Sequence, residues 1–143
     1  MKEELSTQLK GTITEMQVAT AFLKAGYIVS KPLIDTRYDY LLETKNGSIK
    51  KIQVKTSHAN PNEEWIEFKT CNTHTNTQGT IDRDYKGEID YFATFYKDTC
   101  YLIPIEECGS RSKKLRIAPT KNGQIKGISF IYNYEIDKIL PND

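Results

Sequence analysis

Two carboxylates, an amide and an ammonium stand out in this 143-residue sequence: Glu15, Asp39, Gln53 and Lys55. Asp39, the side-chain carbonyl of Gln53 and the backbone carbonyl of Val54 are hard oxygen donors. Such a set suits Mg²⁺, which keeps several waters and takes only one or two protein carboxylates. A cation held there polarises a phosphate and lowers the pKa of a bound water. Lys55 would orient the attacking water or balance charge building on phosphorus, and Glu15 would bind the metal directly or through water. The chemistry that these types serve is phosphodiester hydrolysis, provided that the fold brings them together.

Each residue depends on an element to place it. From about 2 to 25, Leu5, Leu9, Ile13, Met16, Ala19, Phe22 and Leu23 recur at three- and four-residue steps, which predicts an amphipathic helix stopped by Gly26. At 100° per residue Glu15 falls about 20° from Phe22, so it is expected on the stripe that faces the core. The plainer reading puts it at the stripe's edge, in contact with water or a lysine. Gly11, on the same face, lets a backbone or ligand approach.

The other three residues sit on two strands, about 38–44 and 49–56, joined at Lys45-Asn46-Gly47. Alternation puts Lys51, Gln53 and Lys55 on one face and Ile52 and Val54 on the other. A two-residue turn at Asn46-Gly47 pairs 39 with 54 and sends Asp39 to the wrong face. A three-residue turn with Gly47 left-handed pairs 44 with 48, and so 39 with 53. Only this bulged turn, or another bulge along the pair, builds the site, and it is the register expected here.

Further strands are expected at 27–30, 65–70, 89–96 and 100–105, with later ones in "KLRIAP" and "GISFIYN". "YEIDKIL" reads as a short helix or strand extension. Residues 71–87 have almost no apolar periodicity and read as a long loop of the kind that contacts ligands. The pattern gives one α helix followed by a strand-rich α/β (α+β) domain, a single unit spanning 1–143.

Twenty Lys and Arg oppose nineteen Asp and Glu, for a net charge of +1, so nucleic acid must be met by a local patch and not by a global field. Lys51, Lys69, Arg83, Lys86, Lys114 and Arg116 are the main candidates for phosphate contact, with Lys50, Arg111 and Lys113 beside them. Three cysteines without CxxC spacing suit a reducing compartment, and no run has the length of a signal peptide or membrane span, so the cytoplasm is the expected location. Other features have plain readings. His58 is expected to be solvated, and Cys71 with His74 lacks the second ligand pair of a zinc site. Asp82, Arg83, Asp84 and Tyr85 either shape a groove or cap a turn, and Asp90 is either a supporting partner of the site or an exposed strand end. Tyr38 and Tyr40 are expected to pack together on the face opposite Asp39.

The order of helix acid, Asp and "QVK", together with "GTITEMQVATAFLKAGYIVSKP", "RYDYLLETKNG", "IQVKT" and "YKGEIDYFATFYKDTCYLIP", resembles the PD-(D/E)XK nuclease superfamily, and within it the branch associated with group I intron homing endonucleases. The likeness covers roughly residues 10–105. It implies a restriction-endonuclease-like core, with the N-terminal helix packed on a central mixed β-sheet, and a Mg²⁺-dependent endonuclease, with Mn²⁺ as substitute, acting on double-stranded DNA. Glu15 would be the helix acid, Asp39 the metal-binding acid, and Gln53 with Lys55 the (D/E)XK pair. Gln53 departs from the usual acid, as in the intron-associated branch, and contributes no negative charge to a metal. Cutting both strands with one site per chain implies a homodimer or higher symmetric oligomer. The same fold also serves junction-resolving, repair and restriction-type nucleases, and a catalytically inactive DNA-binding module is the remaining alternative.

Overall fold

The computed structural model describes residues 5–76 and 79–140, with the side chains of 73–76 and 80–83 outside that description. Helix α1 spans Thr7–Lys24. Ser6 caps it by accepting from the Leu9 N–H at 3.2 Å, and Gly26, at φ +91°, ends it. Its buried face is Thr14, Val18 and Phe22. Leu9, Ile13, Met16 and Leu23 are instead exposed, so the expected apolar stripe is two stripes, of which only the Phe22 side meets the sheet. Met16 lies about 120° and Ile13 about 180° round the helix from Phe22. The core face includes a polar residue, Thr14, whose hydroxyl is satisfied by the Lys10 carbonyl at 2.9 Å and by Thr56 Oγ1 at 2.9 Å. A Cβ on Gly11 would meet nothing within 4 Å, so no protein backbone exploits that position.

Among the described residues ten strands follow in chain order: β1 Ile28–Ser30, β2 Tyr40–Glu43, β3 Ile49–Val54, β4 His58–Ala59, β5 Trp65–Lys69, β6 Cys71–Asn76, β7 Gly79–Asp84, β8 Tyr91–Tyr96, β9 Thr99–Pro104 and β10 Ser112–Arg116. The central sheet has the order β1-β2-β3-β8-β9 and is mixed: β3 and β8 run parallel, while the other pairs are antiparallel. Both of its faces are covered. Leu42, Ile52, Val54, Ala93 and Leu102 pack with Val18 and Phe22 of α1. Phe92 and Ile103, pointing the other way, pack with Ile66, Phe68 and Leu115 from a second sheet of order β10-β5-β4.

Two elements differ from the sequence reading. The stretch expected as a loop at 71–87 contains the antiparallel ribbon β6–β7, paired from Cys71↔Asp84 to Asn76↔Gly79. Its strands are rich in β-branched Thr, which favours extended chain, but they lack the apolar alternation that marks a strand. "GISFIYN" is not a strand. Gly127 adopts φ +77°, Phe130 makes one bridge to Arg116, and Ile131–Tyr134 forms a 3₁₀ turn that buries its first and last residues. The tail closes with a short helix, α2, at Ile136–Ile139.

The β2–β3 turn has the bulged form. The Thr44 N–H donates to Ser48 O at 2.8 Å and the Gly47 N–H to Thr44 O at 3.0 Å, with Gly47 at φ +89°. Asn46 Oδ1 accepts from Thr44 Oγ1 at 2.7 Å and from the Ser48 N–H at 3.0 Å, which fixes the three-residue loop from within. The ladder therefore pairs Glu43 with Ile49 and Tyr40 with Ile52.

Candidate active site

Asp39 stands just before β2 and is tied to β3 twice. Its N–H donates to Ile52 O at 2.8 Å, and its Oδ2 accepts from the Val54 N–H at 2.9 Å. One terminal atom of the Gln53 amide lies 3.3 Å from Asp39 Oδ2 and 2.7 Å from the Arg37 carbonyl. With its nitrogen toward them Gln53 donates to both, which is the orientation that satisfies its neighbours. Gln53 and Asp39 thus face each other as the bulged register requires.

Glu15 comes from α1, which is pinned over β2 by the Tyr40 hydroxyl donating to the Glu15 carbonyl at 3.0 Å. Burial raises its carboxyl pKa from 4.5 to about 6; repulsion from Asp39 and a hydrogen bond with Asp39 push the same way, while Lys31 pulls it down. The two acids are therefore neighbours, and Glu15 is the one whose charged form the site disfavours.

Lys55 follows β3, held by its N–H on Ala93 O at 2.9 Å. Its Nζ donates to Asn72 Oδ1 at 3.2 Å, to the Tyr85 hydroxyl at 3.2 Å and to Cys71 O at 3.4 Å. Burial lowers its pKa, Asp39 and Cys71 raise it, and Arg37 and Lys69 lower it further. The Tyr85 hydroxyl donates to Asn72 Oδ1 at 2.6 Å, and burial pushes its own pKa up to about 12, so it stays neutral. The Arg37 guanidinium lies 3.7 Å above the Tyr85 ring and donates to Asp84 O; its Nε is 3.2 Å from Glu88 Oε2, an ion pair without hydrogen-bond alignment.

Among the described residues no three His, Cys, Asp or Glu side chains cluster as a metal site. The groups brought near one another are instead mixed: the Asp39 carboxylate, the Gln53 amide and the neighbouring Glu15 carboxyl, with the Val54 N–H on Asp39. Two acids with neutral oxygens fit a hydrated hard cation better than zinc.

The expected phosphate contacts are scattered. Lys69 and Lys86 are exposed, and Lys51 is exposed with its Nζ 5.5 Å from the Tyr38 ring. Lys114 lies 4.2 Å over Trp65. Arg116 is occupied by Ala118 O, Pro119 O and Glu64, and Lys113 by Glu107 O and Ser129. The Arg83 side chain lies outside the described residues, as do those of Asp82 and His74. His58 is exposed, 3.8 Å from Glu67. Asp90 is an exposed strand end: its Oδ2 accepts from the Lys51 N–H at 2.8 Å. Tyr38 and Tyr40 part company, Tyr38 packing against the Phe92 side of the sheet and Tyr40 against the α1 side, because Asp39 clamps the chain between them. Sequence reasoning missed Arg37 and Asn72 and left Tyr85 as a groove or turn residue. Their positions depend on a ribbon that carries no periodic signal.

A family model described as PD-(D/E)XK endonuclease matches residues 5–137. The chain belongs to the PD-(D/E)XK endonuclease family. Its fold is similar to the solved structure of a bacterial homing endonuclease, I-Ssp6803I, with a TM-score of 0.72 and 26% identity, over 92% of this chain and 89% of that one. The PD-(D/E)XK core here is accordingly restriction-endonuclease-like. Protein 5.3 of Escherichia phage T7 is 43% identical over 49 residues, 34% of this chain. The match spans about two fifths, 42%, of that relative's length.

Proposed function

We propose that this PD-(D/E)XK chain, as a single domain over 1–143, is a Mg²⁺-dependent endonuclease that hydrolyses phosphodiester bonds of double-stranded DNA. The observation that carries this reading is the bulged turn, which sets Asp39 against Gln53 and in front of Lys55 on one face of β3. The similarity to a homing endonuclease structure supports it. Asp39, Gln53 and the Val54 carbonyl would hold the cation, with Glu15 joining directly or through water. Mg²⁺, or Mn²⁺ in its place, supplies a Lewis acid for the phosphate and an acidified water. Lys55 stabilises the negative charge that builds on the phosphate oxygens, and its partial burial strengthens that interaction. Because Gln53 is neutral, metal affinity is weaker than with a full acid pair. One site per chain implies a homodimer or higher symmetric oligomer for double-strand cutting, which light scattering of the purified protein tests.

The test is cleavage of supercoiled plasmid with Mg²⁺ or Mn²⁺. The parent is expected to nick and linearise it, and Asp39→Ala and Lys55→Ala to lose at least about a hundredfold in rate. Equal cleavage by parent and both variants sinks the site. Four-way junction substrates in the same assay separate a junction-resolving or repair nuclease from one acting on intact duplex. A second reading, a DNA-binding module without cleavage, is favoured by the neutral Gln53. Binding without cleavage by the parent supports it, whereas a Gln53→Glu variant that still cuts with altered metal dependence supports the nuclease.

A further inference from the structure

Resting on the nuclease reading, we propose that Tyr85 and Asn72 are positioning residues for Lys55, so that the base of the β6–β7 ribbon aims the ammonium at the scissile phosphate. A free lysine side chain samples many rotamers, and ordering it costs conformational entropy. Here the acceptors that order it come from outside its own strand. Cys71 and Asn72 are the first two residues of the ribbon's outgoing strand, and Tyr85 directly follows its returning strand.

Tyr85 is itself fixed. It is 1% exposed, its ring meets Phe92 edge-on at 5.4 Å, and the Arg37 guanidinium lies 3.7 Å over the ring. Its hydroxyl proton is committed to Asn72 Oδ1, which leaves its lone pairs to accept from Lys55. The three groups close a triangle, Lys55 to Tyr85, Lys55 to Asn72 and Tyr85 to Asn72, in which each donor and acceptor has one direction. Arg37 connects the triangle to the acids: its side chain grips Tyr85 while its carbonyl lies 2.7 Å from the Gln53 amide. The metal-side and lysine-side halves of the site thus share a strut.

The experiment compares single-turnover cleavage at saturating protein for Tyr85→Phe, Asn72→Ala, Asn72→Asp and the Tyr85→Phe/Asn72→Ala double variant. Tyr85→Phe keeps the ring that Arg37 and Phe92 hold. Each deletion is expected to slow cleavage about 10- to 100-fold, as loss of outer partners does in metal sites, with DNA affinity measured in Ca²⁺ unchanged. Asn72→Asp, which keeps the acceptor, recovers most of the rate. The double variant loses less than the product of the singles, because both act on one ammonium. A ¹⁵N-detected Lys55 ammonium signal, slowly exchanging in the parent and lost in Tyr85→Phe, reads the same contact without cleavage. Parent-like rates and an unchanged signal in Tyr85→Phe and Asn72→Ala overturn the inference. If Lys55→Ala is inactive while those variants are not, the inference alone fails; if Lys55→Ala cuts like the parent, the nuclease site itself has been misplaced.

Discussion

Burial and the neighbouring Asp39 disfavour the Glu15 carboxylate, and this has a measurable cost. Without metal, the folded Glu15 carboxyl keeps its proton up to about pH 6, whereas the unfolded chain releases it near 4.5. Between these values the folded state binds more protons, so stability falls as pH rises through that window and stays lower above it. Glu15→Gln removes the effect. In EDTA its melting temperature is expected to match the parent's at about pH 4 and exceed it by about pH 7, read by circular dichroism; equal pH profiles would rule the coupling out. At this scale much of the site was legible in the sequence. The helical angle placed Glu15 beside Phe22, and alternation put Gln53 and Lys55 together. Arg37, Asn72 and Tyr85 were not legible, since each acts through contacts between segments distant in sequence.

Among the elements, the β2–β3 hairpin does most to assemble the site, and its turn chemistry could be read because only one register made sense of Asp39. Gly47 sits at φ +89° with open space around a hypothetical Cβ, so its requirement is conformational and not steric. Gly47→Ala is expected to destabilise by about 1 kcal/mol through left-handed strain, measured by urea unfolding, with little change in the core. The helix was legible as a helix, but its buried face was not. Leu9, Ile13 and Met16 look like core residues by type, and a hydrogen-bonded Thr14 took the place that hydrophobicity alone assigned elsewhere. The β6–β7 ribbon escaped notice for the related reason that its Thr- and Asn-rich strands have no apolar alternation.

For the whole molecule, "IDYFATFY" announced a strand buried on both faces, and β8 does feed both clusters, Phe92 on one side and Ala93 on the other. Phe92→Ala is expected to cost about 3–5 kcal/mol by chemical denaturation, and to loosen Tyr85, which it touches. The mixed character of the sheet could not be foreseen from periodicity, because it rests on one parallel pairing, β3 with β8. That pairing has a consequence in time. The β2–β3 hairpin closes over a three-residue loop and forms on the scale of microseconds, so Asp39 and Gln53 can meet early. Joining Ile52 to Tyr91 requires a far longer loop to close, carrying β4 to β7 with it, and such non-local pairings form slowly. The Asp39–Gln53 pair is therefore expected to form first on the folding pathway, with Lys55 reaching Asn72 and Tyr85 only when the sheet is complete.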